Sequence, residues 1–363
     1  RRELVACLPA LQAVAGRFAK HLAGLIEDEI VPGGVVPQRW RAQARPFVHH
    51  RADRLLLVPV GERVVLVATT FNMNSSIGCW DAQTGEQLGP LLDGVARHAY
   101  RDGSDVVIAG IDGWGGRARR WAVPSGRELA PLRPQRRPFA LRRRVMEKVT
   151  AMTSYRDGEH EIVAAGDESG AVRCFDSASG EPVGGLARLS GRVTALWSYQ
   201  LAGRAHLAAG DEFGQVWRWL PGPDPRPQQV HGKHHQYVLH GAAYRDGDRT
   251  ILVTGATDQA AYRWDAETGA SLGDRWVMKD VIGGICSFPD GDRTILAIGG
   301  FCQIQRFDTV TGQRHGDLIQ GHQEPISDTG YAEVAGRPML FTCDLASVWR
   351  WDARTGEPLP VMD

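Results

Sequence analysis

The stretch Arg263–Gly273 reads "RWDAETGASLG", and nearly the same words return at 350–356 ("RWDARTG") and 79–85 ("CWDAQTG"). Asp in such a unit accepts backbone N–H bonds at the start of a turn, and Gly takes the left-handed conformation that leads back into a strand. The aromatic supplies a large apolar body for packing between neighbouring sheets. The unit therefore reads as a structural corner, and its repetition implies a repeated sheet.

Counting copies fixes the architecture. The aromatic-x-x-x-[Thr/Ser]-Gly unit recurs at Trp80–Gly85, Trp121–Gly126, Phe175–Gly180, Trp264–Gly269, Phe307–Gly312 and Trp351–Gly356, with a degenerate copy anchored at Trp219. Successive aromatics lie 41, 54, 44, 45, 43 and 44 residues apart, a steady period broken by one insertion of about ten residues. Upstream of each aromatic come an alternating run such as "VTALWSY" (193–199), a tight turn and a short apolar strand. The turn is often Asp-Gly, a hairpin signal: Asp102-Gly103, Asp157-Gly158, Asp246-Gly247 and Asp290-Gly291. Four antiparallel strands per unit, seven times over, predict an all-β, seven-bladed propeller of four-stranded blades.

The "RWDxxTG" units over residues 48–363 resemble the WD40-repeat family, particularly its bacterial members. Quinoprotein propellers share D-x-x-T-G but place a tryptophan about four residues after the glycine. "EQLG", "ASLG", "QRHG" and "EPLP" stand there in this chain. The WD40 resemblance implies a hydrogen-bonded set of His, Asp, Ser/Thr and Trp in a blade. Counting back from the corner assigns His234, Thr254, Asp258 and Trp264 to it in the fifth unit. His322 begins a set in the seventh, where the same count puts Leu345 at the Asp position. Asn74, Gly115, Ser169, Phe213 and Phe301 stand there in the others, so most blades are expected to lack the network.

Residues 1–30 carry a helical stripe (Leu4, Leu8, Leu11, Ala15, Phe18, Leu22, Leu25) and are expected to form an N-terminal helical segment. Residues 31–47, rich in Pro and Gly, read as a linker or a ring-closing strand. The chain begins at Arg1 rather than Met, as expected of a fragment or a processed form.

Lys+Arg and Asp+Glu both number 42, so no global field draws the chain toward nucleic acid or anionic lipid. Basic residues are lopsided, four lysines against 38 arginines, which reads as genome composition rather than function. Six widely spaced cysteines form neither zinc spacing nor a disulfide framework, consistent with a reduced, cytoplasmic compartment. No apolar run approaches the ~20 residues of a membrane span.

Strand order assigns turns between second and third strands, and connections between blades, to one rim, here the top face. Two unusual segments belong there. The insertion "RPQRRPFALRRRVMEK" (133–148) gathers Arg136, Arg137, Arg142, Arg143 and Arg144, whose guanidinium forks suit carboxylate or phosphate, hence an acidic protein partner. "VHGKHHQYVLH" (230–240) clusters imidazoles, making His231 and His235 weak metal candidates without a local acid or thiol. "GDESG" (166–170) resembles a serine-nucleophile box, but "GDEFG" (210–214) holds the same register one repeat later, so both are turns. No phosphate loop, nucleotide fingerprint or nucleophile–base motif appears.

The sequence thus implies no catalytic residue and no cofactor. It favours a non-enzymatic protein-interaction scaffold binding through Arg136, Arg137, Arg142, Arg143, Arg144, Phe213 and Phe301. The alternatives are a C-terminal sensor or regulatory module of a larger signalling protein (ATPase, protease or kinase) and, third, a propeller enzyme or metal-binding protein.

Overall fold

The computed structural model describes residues 52–70, 75–103, 105–112, 116–132, 148–273, 275–278 and 280–359. All of them belong to one compact unit, residues 45–363. The expected N-terminal helix and ring-closing strand lie outside the described residues. Among the described residues no helix is long and apolar enough to cross a membrane.

Seven antiparallel sheets follow one another in chain order, each built as an up-and-down meander from its first strand outward. The first strands are Arg54–Val60, Val95–Asp102, Val149–Asp157, Val193–Leu201, Val238–Asp246, Gly284–Asp290 and Asp328–Val334, defining blades 1 to 7. The fold is a seven-bladed β-propeller. Four strands per blade were expected, yet blades 2 and 7 show three among the described residues. Their third strands carry the bridge that follows the corner, Trp121 with Glu128 and Trp351 with Pro358, as Trp80 with Gln87 and Trp264 with Ser271 do in four-stranded blades. Downstream of each bridge the chain soon enters residues outside the description.

No single core exists; apolar slabs lie between adjacent blades. Trp264 of blade 5 packs with Ala195, Trp197 and Leu207's neighbour Ala208 of blade 4, and Phe175 of blade 3 with Tyr100 and Val107 of blade 2. Each signature aromatic thus faces the preceding blade. Its neighbour in the strand must face the opposite way. That neighbour is often arginine, and its guanidinium reaches the corner of the following blade. Arg263 donates to the Thr309 carbonyl at 2.8 Å, and Arg306 to those of Ala353 (3.0 Å) and Thr355 (3.3 Å). Arg120 reaches the Ser177 carbonyl. In blades 2, 5, 6 and 7 the arginine and its aromatic neighbour thus tie the blade to both its neighbours, so the arginine excess that reads as genome composition includes a repeated structural latch.

The same devices close the ring. Arg350 of blade 7 donates to the Ala82 and Gln83 carbonyls of blade 1 at 3.0 and 2.7 Å. The Leu55 amide donates to Asp328 Oδ2 at 3.0 Å, and Ala52, Leu55 and Trp80 share a slab with Ala332, Phe341 and Val348.

The corners form as their chemistry dictates. In blade 5, Asp265 Oδ1 accepts from the Glu267 and Thr268 amides (3.1 and 2.8 Å), and Gly269, at φ +77°, donates to the Asp265 carbonyl at 2.8 Å. Against its burial, the Thr268 and Glu267 amides, together with the Arg249 guanidinium at 2.8 Å, hold the Asp265 carboxyl down at about 2. Ser177 of a corner meets Asp102 of the Asp-Gly hairpin one blade earlier, so corners and hairpins share the lower rim.

Candidate top-face interaction site

The opposite rim is built by polar side chains that pin its turns. In blade 5, Trp264 Nε1 donates to Thr254 Oγ1 at 2.9 Å. Thr254 Oγ1 lies 2.8 Å from His234 Nε2, and His234 Nδ1 lies 3.1 Å from Asp258 Oδ1. Indole N–H can only donate, so the threonine oxygen accepts there and its own proton goes to Nε2. That leaves Nδ1–H for the carboxylate, a neutral tautomer. Burial lowers the His234 pKa, outweighing the pull of the Asp258 carboxylate, and agrees with that charge state.

Blade 7 holds a second copy: Trp351 Nε1 to Thr342 Oγ1 (2.8 Å), Thr342 to His322 Nε2 (2.6 Å), His322 Nδ1 to Asp344 Oδ2 (2.7 Å). The acid is Asp344, not the residue at the Leu345 position given by counting back. The turn between Cys343 and Val348 is one residue longer than that between Ala256 and Ala260, which moves the acid one place upstream.

Blade 4 uses a histidine-free version. Asp211, fully buried, accepts from Ser190 Oγ (2.9 Å) and Trp217 Nε1 (3.0 Å) with one oxygen, and from the Phe213 and Gln215 amides (both 2.9 Å) with the other. Blade 3 repeats the turn with Asp167 holding the Ser169 and Ala171 amides. Both "GDESG" and "GDEFG" are turns. More blades carry a turn-pinning acid than the expected pattern allowed, because the acid sits two residues before the position counted.

These pinned turns present apolar side chains. Phe213 is 54% exposed, its ring lying over Gly191, where a Cβ would sit 2.6 Å from the ring. Phe301 occupies the equivalent turn of blade 6 and is half-buried. Three further residues escaped sequence reasoning: Tyr237 (51% exposed) and Val281 (40%) in the connections entering blades 5 and 6, and Leu345 (47%) in the blade 7 turn. They form an arc across blades 4 to 7. The misassigned Leu345 was the available signal: freed from the acid's role, it is an apolar residue at the tip of a pinned turn.

Arg136, Arg137, Arg142, Arg143 and Arg144 lie outside the described residues. Lys148, where the description resumes, accepts the Glu168 amide on its carbonyl, and the Val149 amide donates to the Gly116 carbonyl. The insertion therefore rejoins the fold beside the top-face turns of blades 2 and 3. His231 and His235 are exposed and do not converge: the His231 amide bonds the Gly269 carbonyl, whereas the His235 amide bonds Asp258 Oδ2. Among the described residues no group of three His, Cys, Asp or Glu is arranged to hold a metal ion. Burial pushes the thiols up, Cys79 to about 12, Cys174 and Cys302 to about 11, so they stay protonated and poorly nucleophilic at neutral pH.

No family model matches the sequence, and no curated protein does. Among solved structures the chain is similar to the crystal structure of a computationally designed protein, Ika8, with 21% identity and a TM-score of 0.58. The match covers 88% of this chain and 89% of that one. This likeness establishes the fold alone.

Proposed function

We propose that the protein is a non-enzymatic interaction platform of the WD40 kind, which binds a partner protein on its top face. The observation that carries this reading is the arc of Phe213, Tyr237, Val281, Phe301 and Leu345 on one rim. Phe213 and Leu345 sit on turns held by the buried Asp211 and Asp344 carboxylates, so they lose little freedom on binding, which is what an anchor residue requires. Two complete Trp-Thr-His-Asp sets support the WD40 assignment. The insertion re-enters the described fold at Lys148, beside the top-face turns, and the arginines in its sequence favour a partner with acidic groups.

The test compares capture of partners by the intact chain and by Phe213→Ser/Leu345→Ser, with Val310→Ser on the lower rim as control. Both sites are exposed, so melting temperatures should agree within a few degrees. The reading expects a specific partner to be lost with the top-face variant and kept with the control. Equal capture by all three removes it.

A further inference from the structure

The first strands of all seven blades enclose a cavity of about 350 Å³ on the ring axis. Its upper layer is uneven. Arg54, His240 and Asp328 occupy equivalent positions at the top of blades 1, 5 and 7, opposite Thr69, Gly255 and Cys343 in their second strands. Blades 3, 4 and 6 place the small residues Ala151, Ala195 and Gly284 there, which contribute no polar group. Arg97 and His98 of blade 2 complete the polar lining.

The charges do not balance. Asp328 is the sole acid lining the cavity, and both its oxygens are engaged, Oδ2 by the Leu55 amide (3.0 Å) and Oδ1 by the Thr329 amide (2.8 Å). Against it stand two guanidinium groups close enough to disfavour one another. Burial, then Arg54 and Arg192, push Arg97 down to about 9. Burial and the field of Arg54 also push His98 to about 4 and His240 to about 3, so both rings are neutral and free of charge of their own. Among the described residues the His240 side chain makes no hydrogen bond, and Trp197 Nε1, on the cavity wall, is buried without a partner. A buried donor without an acceptor is unfavourable and invites one.

We propose that this axial cavity binds a small free oxyanion, a phosphate or a short dicarboxylate, between Arg54 and Arg97 with His240 as a neutral hydrogen-bond partner. Guanidinium forks match both anions bidentately, and the volume lies at the lower end of small-molecule pockets. Binding offsets the mutual repulsion of the two arginines, which favours an anion over a neutral ligand. The proposal is independent of the top-face reading, since no partner protein takes part.

The experiment is calorimetric titration of the full chain with potassium phosphate and, separately, sodium succinate at constant ionic strength, with sodium chloride as the control. One-site saturable binding of at least one of them is expected, and none of chloride. Arg54→Gln and Arg97→Gln should each weaken it by about tenfold or more, while Arg101→Gln, exposed on the lower rim, leaves it unchanged. Absence of saturable binding, or undiminished binding by both cavity variants, overturns the proposal. If those variants fail to fold, crystals of the unaltered chain soaked in phosphate decide: density within hydrogen-bond reach of Arg54 and Arg97 sustains it, and density elsewhere or none overturns it.

Discussion

In blades 5 and 7 the chain Trp to Thr to His to Asp passes each proton to a different acceptor, and backbone amides complete the carboxylate's partners. Removing the His322 imidazole leaves Asp344 Oδ2 without its donor and the buried Thr342 hydroxyl proton without its acceptor. His322→Ala should therefore cost about 2–4 kcal/mol, measured by urea unfolding. The axial imidazoles make a separate prediction. A histidine whose folded pKa is depressed stabilises the fold above its unfolded value near 6.5 and loses that contribution as pH falls toward the folded value. His98 and His240 fall to about 4 and about 3. Asp328, raised to about 6 by burial, opposes them, since its neutral form gains as pH drops through 6. Two depressed histidines outweigh one raised acid, so stability should decline from pH 6.5 to 4. His240→Asn should flatten that slope in pH-dependent melting, and an unchanged slope would show that the acid sensitivity originates elsewhere. At this scale the sequence yielded His234, Thr254, Asp258 and Trp264 as one set, because their spacing survives unaltered. It misplaced the blade 7 acid, because turn length varies by a residue without disturbing the aromatic period.

Element by element, the alternation of a strand explains why Arg and Trp stand side by side. One faces back and packs, the other faces forward and bonds carbonyls of the next corner. Arg306→Lys should not rescue Arg306→Gln, because a single ammonium cannot span the Ala353 and Thr355 carbonyls as a guanidinium fork does. Both variants should lose about 1–3 kcal/mol in denaturant titrations. Near recovery by Lys would mean that charge alone matters there. Trp351→Ala, emptying a slab on the other face, should cost about 3–5 kcal/mol. The pattern "RW" was visible in the sequence, and the aromatic half of it was legible from size and hydrophobicity. Its arginine half was not, since the acceptors are backbone carbonyls 46 to 57 residues further along, which leave no mark of their own in the chain.

Over the whole molecule, seven corners at a regular period were enough to read a seven-bladed ring. How the ring closes was not legible, because closure depends on which residues of blades 1 and 7 meet. Arg350, Asp328 and Ala52 join that seam among the described residues. The arc of exposed side chains is likewise a property of the assembled ring: Phe213, Tyr237, Val281, Phe301 and Leu345 come from four blades and share no motif. Sequence reasoning reached Phe213 and Phe301 through turn register and missed the others, which lie in connections of irregular length (Tyr237, Val281) or in a turn one residue longer than its blade 5 counterpart (Leu345). Hydrogen–deuterium exchange of the chain with and without its captured partner tests the central claim most directly. Protection should concentrate in the segments 211–214, 235–238, 280–282, 300–302 and 344–346. Protection confined to the Asp-x-x-Thr-Gly corners on the lower rim would contradict it.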